Sequence, residues 1–127
     1  MRVLGINTPF KGITITKTGG QHGTDEILSK PIFAEIFGDS MGFVFRAPGQ
    51  KTVYFAGDTI LYDYTELILK KHKPDIIVVN GAQCEYEGLI GSSMMGPDDI
   101  KKIYEMILRY YLCIWIHIVI VFAILKK

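Results

Sequence analysis

The chain is poor in histidine and cysteine, two of the residue types that most often bind transition metals. Its 127 residues include only His22, His72 and His117, together with Cys84 and Cys113. The spacing of the cysteines is unlike that of a metal site, and two cysteines do not make a disulfide framework. A reducing, cytoplasmic setting is the simplest fit to this cysteine usage.

The chain also lacks an excess of charge of either sign. Its net charge is +1, and its lysines are scattered along the sequence. We therefore expect no nucleic-acid partner, because such proteins concentrate basic residues on one surface. The N-terminus has no basic segment followed by an apolar run, so no secretory signal is expected. A hydrophobic content of 49% with 21% charged residues is typical of a globular protein.

The most informative stretch of the chain is Lys51–Asp58, which is followed by Thr59. It contains Val-Tyr-Phe, three strong strand formers, and then a Gly-Asp-Thr corner. A carboxylate at the end of a strand, beside loops, is where α/β enzymes place catalytic or metal-binding groups. The alternative is a plain turn in which Asp58 caps Thr59 or begins the next helix.

The remaining pattern predicts a layered α/β domain without internal repeats or linkers. Two strands joined by Pro48-Gly49 form a predicted hairpin, and a long glycine-containing loop at 19–42 precedes it. A further strand is predicted to be buried on both faces because it is almost wholly apolar. The predicted strands are 12–18, 42–47, 52–56 and 75–80, and the predicted helices are 60–73 and 97–109.

Three segments in a fixed order resemble the second half of a metallo-β-lactamase-fold hydrolase. They are the glycine-flanked loop around His22, the strand Gly42–Phe45, and the strand that ends in Gly57-Asp58-Thr59. Within that superfamily they are most similar to the branch that includes the L-ascorbate-6-phosphate lactonases. The resemblance covers most of the chain, from about Val3 to about Leu108.

This resemblance implies part of an αββα sandwich, with one or two divalent metals, Zn or Mn, at the sheet edge. His22 matches the lone loop histidine of the family, and Asp58 matches the aspartate that bridges the two metals. Thr59 is then expected to hydrogen-bond Asp58 and orient it. Asn80 could line the cleft, although a plain strand-to-loop turn is the alternative. The implied substrates are small molecules, either lactones or phosphoesters.

The chain departs from the family in its ligand set. The main metal-binding motif of the family, His-any-His-any-Asp-His, is not found in this sequence. Two recognisable ligands are too few for a stable hydrolytic centre, so we expect weak or no hydrolase activity from the chain alone. The alternatives are a non-catalytic remnant, a self-associating half-domain that forms a homo-oligomer, and a split hydrolase completed by an N-terminal half.

The second departure is at the C-terminus. Residues 1–109 are predicted to form a partial metallo-β-lactamase-like domain, and residues 110–127 a divergent apolar segment. A membrane partner is not expected, because the 16 residues 110–125, which are apolar or aromatic except for His117, would span roughly 24 Å as a helix, less than the ~30 Å hydrocarbon core. Alternating isoleucines favour a buried strand, but one of 16 residues is too long. A tail anchor, a membrane-surface segment and an out-of-frame tail are the alternatives.

Overall fold

A computed structural model describes residues 7–106, 111–116 and 119–123. These residues form one seven-stranded mixed sheet with four helices. The strands are β1 (Asn7–Phe10), β2 (Ile13–Gly19), β3 (Met41–Arg46), β4 (Val53–Phe55), β5 (Ile76–Asn80), β6 (Tyr111–Ile116) and β7 (Val119–Ala123). The helices are α1 (Asp25–Leu28), α2 (Pro31–Phe37), α3 (Asp63–His72) and α4 (Pro97–Met106).

The strands lie in the sheet in chain order, and their directions bring several loops to one edge. β1 to β4 are antiparallel neighbours, β4, β5 and β6 are parallel, and β7 is antiparallel to β6. The C-terminal ends of β2, β4 and β5 therefore lie together with the N-terminal end of β3. Asn80 lies at one of these strand ends, and the loops beside them carry the other predicted site residues, His22, Asp58 and Thr59.

The mixed α/β fold is confirmed, and the described residues form one of the two sheets that the resemblance implies. The predicted hairpin, the two longer helices and the strand predicted at 75–80 are all present, with ends shifted by a few residues. Helices α3 and α4 are amphipathic, and they pack on the same face of the sheet. The buried core on that face consists of Val44, Tyr54, Ala56, Ile68, Leu69, Ile77, Val79, Met95 and Ile103.

Two expectations about the middle of the chain are wrong. The segment 19–42 is not one long loop, because α1 and α2 lie within it. The Thr24 hydroxyl accepts a hydrogen bond from the Ile27 amide and so caps α1, and Pro31 occupies the first turn of α2. In addition, β5 is not buried on both faces, since Ile77 and Val79 are buried but Ile76 and Val78 are half-buried.

The apolar C-terminal segment folds as two strands where its backbone is described. Splitting the segment into β6 and β7 removes the difficulty of a single 16-residue strand. β6 lies between β5 and β7, so the segment continues the main sheet. His117 lies outside the described residues. Of the helices in the described part of the chain, none has both the length and the apolar composition of a membrane span.

Candidate metal-binding site

The Gly-Asp-Thr corner after β4 fixes the position of Asp58. Gly57 has a φ of 73°, and a Cβ atom there would overlap the carbonyl oxygen of Met41 on the adjacent strand. Only glycine combines this backbone angle with such a close approach. The Ser40 hydroxyl donates to the backbone carbonyl of Asp58. The corner is therefore held from β3 and its preceding loop while the Asp58 carboxylate stays exposed.

Asn80, at the end of β5, orients the Asp58 carboxylate. Its Nδ2 donates to Oδ1 of Asp58 at 2.8 Å, and its own Oδ1 accepts from the Ala82 amide at 3.3 Å. The second bond fixes which end of the Asn80 amide faces Asp58. The parallel pairing of β4 with β5 makes the contact possible, because it aligns the C-terminal ends of the two strands.

His22 lies in the loop between β2 and α1, at the same edge of the sheet as Asp58. Its ring stacks on Phe37 with 4.2 Å between the ring centroids and an interplanar angle of 24°. Partial burial lowers the pKa of His22 below 6.5, and the negative charge of Asp58 opposes that shift. The lowered pKa favours the neutral imidazole, which is the form that binds a metal or accepts a proton.

The structure brings His22 and Asp58 together. Both side chains line a cavity of about 310 Å³, with Phe37, Ser40 and Phe55 among the other lining residues. Asp58 and Asn80 also line a smaller cavity of about 140 Å³ beside it. Residues that are 36 positions apart in the sequence therefore present an imidazole and an oriented carboxylate to one space.

Thr59 does not make the hydrogen bond that was predicted for it. The buried hydroxyl accepts from the Gln21 amide at 2.9 Å and donates to the Ile60 carbonyl at 3.0 Å. Thr59 thus joins the loop that carries His22 to the corner that carries Asp58, while Asn80 orients the Asp58 carboxylate. The correction has a simple cause: a fully buried hydroxyl bonds the backbone groups around it, and the Asp58 carboxylate lies at the surface.

Sequence reasoning missed two residues of this site, Phe37 and Ser40. Phe37 falls in the segment that was predicted to be a loop, where no helical face was expected. Ser40 belongs to a short Gly38-Asp39-Ser40 stretch whose composition indicates a turn and nothing more specific. Phe37 contacts His22 and Ser40 contacts Asp58, and these tertiary contacts cannot be predicted from the local sequence.

The chemistry of the donor set suits a divalent metal, but the number of donors does not. Imidazole and carboxylate both bind Zn²⁺ or Mn²⁺ well. In residues 7–106, however, no group of three or more His, Cys, Asp or Glu side chains is close enough to hold a metal ion. A zinc site normally uses three or four protein ligands. The described residues therefore provide an incomplete metal site, and no catalytic step is assigned to a metal on this chain alone.

Two curated relatives are similar to the chain over part of their length. UPF0173 protein YddR of Bacillus subtilis is 41% identical over 105 residues, which are 83% of this chain and 39% of that protein. A UPF0173 metal-dependent hydrolase of Xanthobacter autotrophicus is 31% identical over 54% of this chain and 27% of that protein. The chain therefore spans two fifths or less of these relatives. No family model matches the chain.

Two solved structures share the fold. An isothiocyanate hydrolase from Delia radicum gut bacteria superposes with a TM-score of 0.83 at 32% identity, over 89% of this chain and 44% of that one. A possible metal-dependent hydrolase from Veillonella parvula gives a TM-score of 0.85 at 34% identity, over 89% of this chain and 43% of that one. Together, the relatives and these structures support a metallo-β-lactamase-like superfamily for the chain.

Proposed function

We propose that the chain supplies part of the active site of a metal-dependent hydrolase acting on small-molecule lactones or phosphoesters, as in the lactonase-like branch it resembles. His22 and Asp58 are proposed as metal ligands, Asn80 as the residue that orients Asp58, and Zn²⁺ or Mn²⁺ as the metal. The observation that carries the proposal is the convergence of His22 and an oriented Asp58 on one cavity.

Each residue has a role that its contacts support. His22 is held against Phe37 in its neutral form, and one oxygen of Asp58 is engaged by Asn80. Thr59 ties the two loops together, so the distance between the two candidate ligands depends on its buried hydroxyl. This chain is proposed to bind the metal and to position the two candidate ligands. It is proposed to have weak or no activity until the missing ligands are supplied.

Metal binding is the first test, and it does not depend on the choice of substrate. Purified chain is equilibrated with Zn²⁺ or Mn²⁺ and desalted, and its bound metal is measured by elemental analysis. We expect bound metal in the unaltered chain and its loss in Asp58→Ala. Asp98→Ala is the matched control, because Asp98 is also exposed but lies in the first turn of α4. Equal metal content in Asp58→Ala and the unaltered chain would rule out the ligand role.

Activity is then measured on a panel chosen by chemistry. A lactone and a phosphoester represent the proposed classes, and an isothiocyanate is added because a structural neighbour is an isothiocyanate hydrolase. A weak, metal-dependent rate on a lactone or phosphoester that is lost in His22→Ala is the expected result. Metal binding without hydrolysis of any of the three would favour the alternative, a non-catalytic remnant of the fold.

A further inference from the structure

One face of the sheet is apolar and is not the face on which α3 and α4 pack. Side chains alternate along each strand, so the residues next in sequence to the buried core positions point to this second side. Phe55 and Met41 are each 41% exposed there, and Ile13 is 38% exposed. We call this surface the open face; its members are Ile13, Ile15, Met41, Phe43, Phe45, Val53, Phe55, Ile76 and Val78.

The members of the open face pack beside one another across the strands. Phe43 pairs in register with Phe55, and Phe55 pairs in turn with Val78. Lys17 of β2 is a charged residue on the same side, opposite Phe43 and toward the margin of the sheet. An apolar area of this kind, continuous over four strands, is the property of a surface that another sheet covers.

The open face runs directly into the candidate metal site. Phe55 lines both cavities that contain Asp58, and Val78 lines the smaller of them. Met41 lines the cavity that His22 and Asp58 share. Anything that covers the open face therefore also covers the two candidate ligands, and it is placed to add donors to them.

We infer that the open face is the interface for a second copy of this chain, and that the partner's His22 and Asp58 complete the metal site. The inference rests on the ligand roles proposed above. The described residues of one chain offer two donors at this site, where a zinc site uses three or four. Two copies offer four, of chemical types that suit Zn²⁺ or Mn²⁺, and each copy covers the apolar surface of the other.

A two-fold axis allows two copies to cover each other's open faces and to bring their candidate ligands to the same end. Packed sheets lie ~10 Å apart with their strands nearly aligned. A two-fold axis parallel to the strands keeps the strands of both copies pointing the same way, so both Asp58 side chains lie at the same end of the sandwich. Such an interface is self-complementary, which is the usual form of a homodimer.

The first measurement is the mass of the chain in solution by sedimentation equilibrium over a range of concentrations. We expect twice the 14.3 kDa of one chain. Phe55→Asp places a charge in the interface and is expected to raise the dissociation constant about 100-fold. Leu67→Asp is the matched control, because Leu67 is 58% exposed on α3, away from the open face, and its replacement should leave the mass unchanged.

A second interface variant keeps the test independent of the cavity. Ile13→Asp lies on the open face but lines neither cavity that contains Asp58, and it should weaken the dimer as Phe55→Asp does. Circular dichroism establishes that each variant keeps its secondary structure. A monomer at every concentration would overturn the inference, as would a dimer that Leu67→Asp disrupts and both open-face variants leave intact.

Metal stoichiometry tests the shared site itself. We expect one Zn²⁺ or Mn²⁺ for every two chains, and we expect Phe55→Asp to lose the metal although His22 and Asp58 are unchanged. His22→Ala should lose the metal and remain a dimer. One metal bound by each monomeric chain, with hydrolysis, would overturn the dimeric site and leave the proposed function standing. A dimer with a shared metal that hydrolyses nothing would remove the function and leave the dimeric site.

Discussion

At the scale of single residues, the site depends on how His22 and Asp58 influence each other. His22 is partly buried against Phe37, which disfavours its charged form, whereas the Asp58 carboxylate favours it. Burial is the larger of the two effects, so the pKa of His22 is lowered. Since the folded state prefers the neutral ring, His22 adds to stability above about pH 6.5, and this contribution is lost as the pH falls through the lowered pKa.

Removing the charge of Asp58 should therefore lower the pKa of His22 further. We expect Asp58→Asn to move the His22 titration to lower pH, because the opposing carboxylate is gone while burial remains. The measurement is a pH titration of the His22 ring protons by NMR in metal-free protein. Asp98→Asn, which changes an exposed carboxylate on α4, should leave the titration where it was. A His22 pKa that rises in Asp58→Asn would show that the two residues are not coupled as the structure indicates.

At the scale of elements, the corner between β4 and α3 carries a strict backbone requirement. Gly57 has a positive φ, and it packs against the backbone carbonyl of Met41, which cannot move aside. Gly49, in the turn between β3 and β4, has a similar φ of 69° but has open space where a Cβ atom would lie. These two glycines separate the cost of backbone angle from the cost of a steric clash.

Alanine at the two positions should have unequal effects. Gly49→Ala is expected to cost about 1 kcal/mol of unfolding free energy, which is the usual penalty for a left-handed non-glycine residue. Gly57→Ala should cost at least about 2–3 kcal/mol, because a clash with backbone adds to the same penalty. Urea denaturation of the two variants beside the unaltered chain measures both values. Equal losses at the two positions would mean that the corner relaxes without cost.

The short helices α1 and α2 also act at this scale, because α2 carries Phe37, on which the His22 ring stacks. Phe33 and Phe37 of α2 pack with Tyr86, whose ring centroid lies 4.8 Å from that of Phe33. The Thr24 hydroxyl donates to the Ile90 carbonyl and so joins α1 to the loop after β5. Each helix has only one or two turns, so these tertiary contacts, more than helical propensity, hold them in place.

At the scale of the whole molecule, the apolar C-terminal segment is a structural part of the sheet. β6 pairs in parallel with β5 over five register positions, from Ile76 with Tyr111 to Asn80 with Trp115. Asn80 is thus in a strand that has a neighbour on each side, and the position of the Asp58 carboxylate depends on it. β6 and β7, which lie in the segment predicted to diverge from the resembled family, extend the same sheet.

Shortening the chain to residues 1–109 should therefore destabilise it. β5 would become an edge strand and lose its hydrogen bonds to β6, so we expect the unfolding free energy to fall by at least about 2 kcal/mol. The comparison is made by urea denaturation, with a chain shortened only to Leu125 as the control. If the 1–109 chain were as stable as the full one, residues 110–127 would be a separate appendage, in agreement with the predicted division at residue 109.

The sequence by itself determined the main elements and the two candidate ligands. Strand formers that end at Gly57-Asp58 predict the corner because the local pattern and the glycine requirement agree. The amphipathic spacing of α3 and α4 and the apolar run of β5 also predict these elements, because both patterns are local in the sequence. The resemblance added His22, since a histidine in a glycine-flanked loop has no local signal that distinguishes a ligand from a surface residue.

Tertiary structure alone decided how the site is assembled. Asn80 reaches Asp58 only because β4 and β5 are parallel neighbours, and Thr59 bonds Gln21 only because β2 and β4 end at the same edge. The helices between 25 and 37 were missed because short helices depend on caps and packing. The open face could not be located from the apolar run of β5, since strand periodicity shows which residues alternate but not which side is covered.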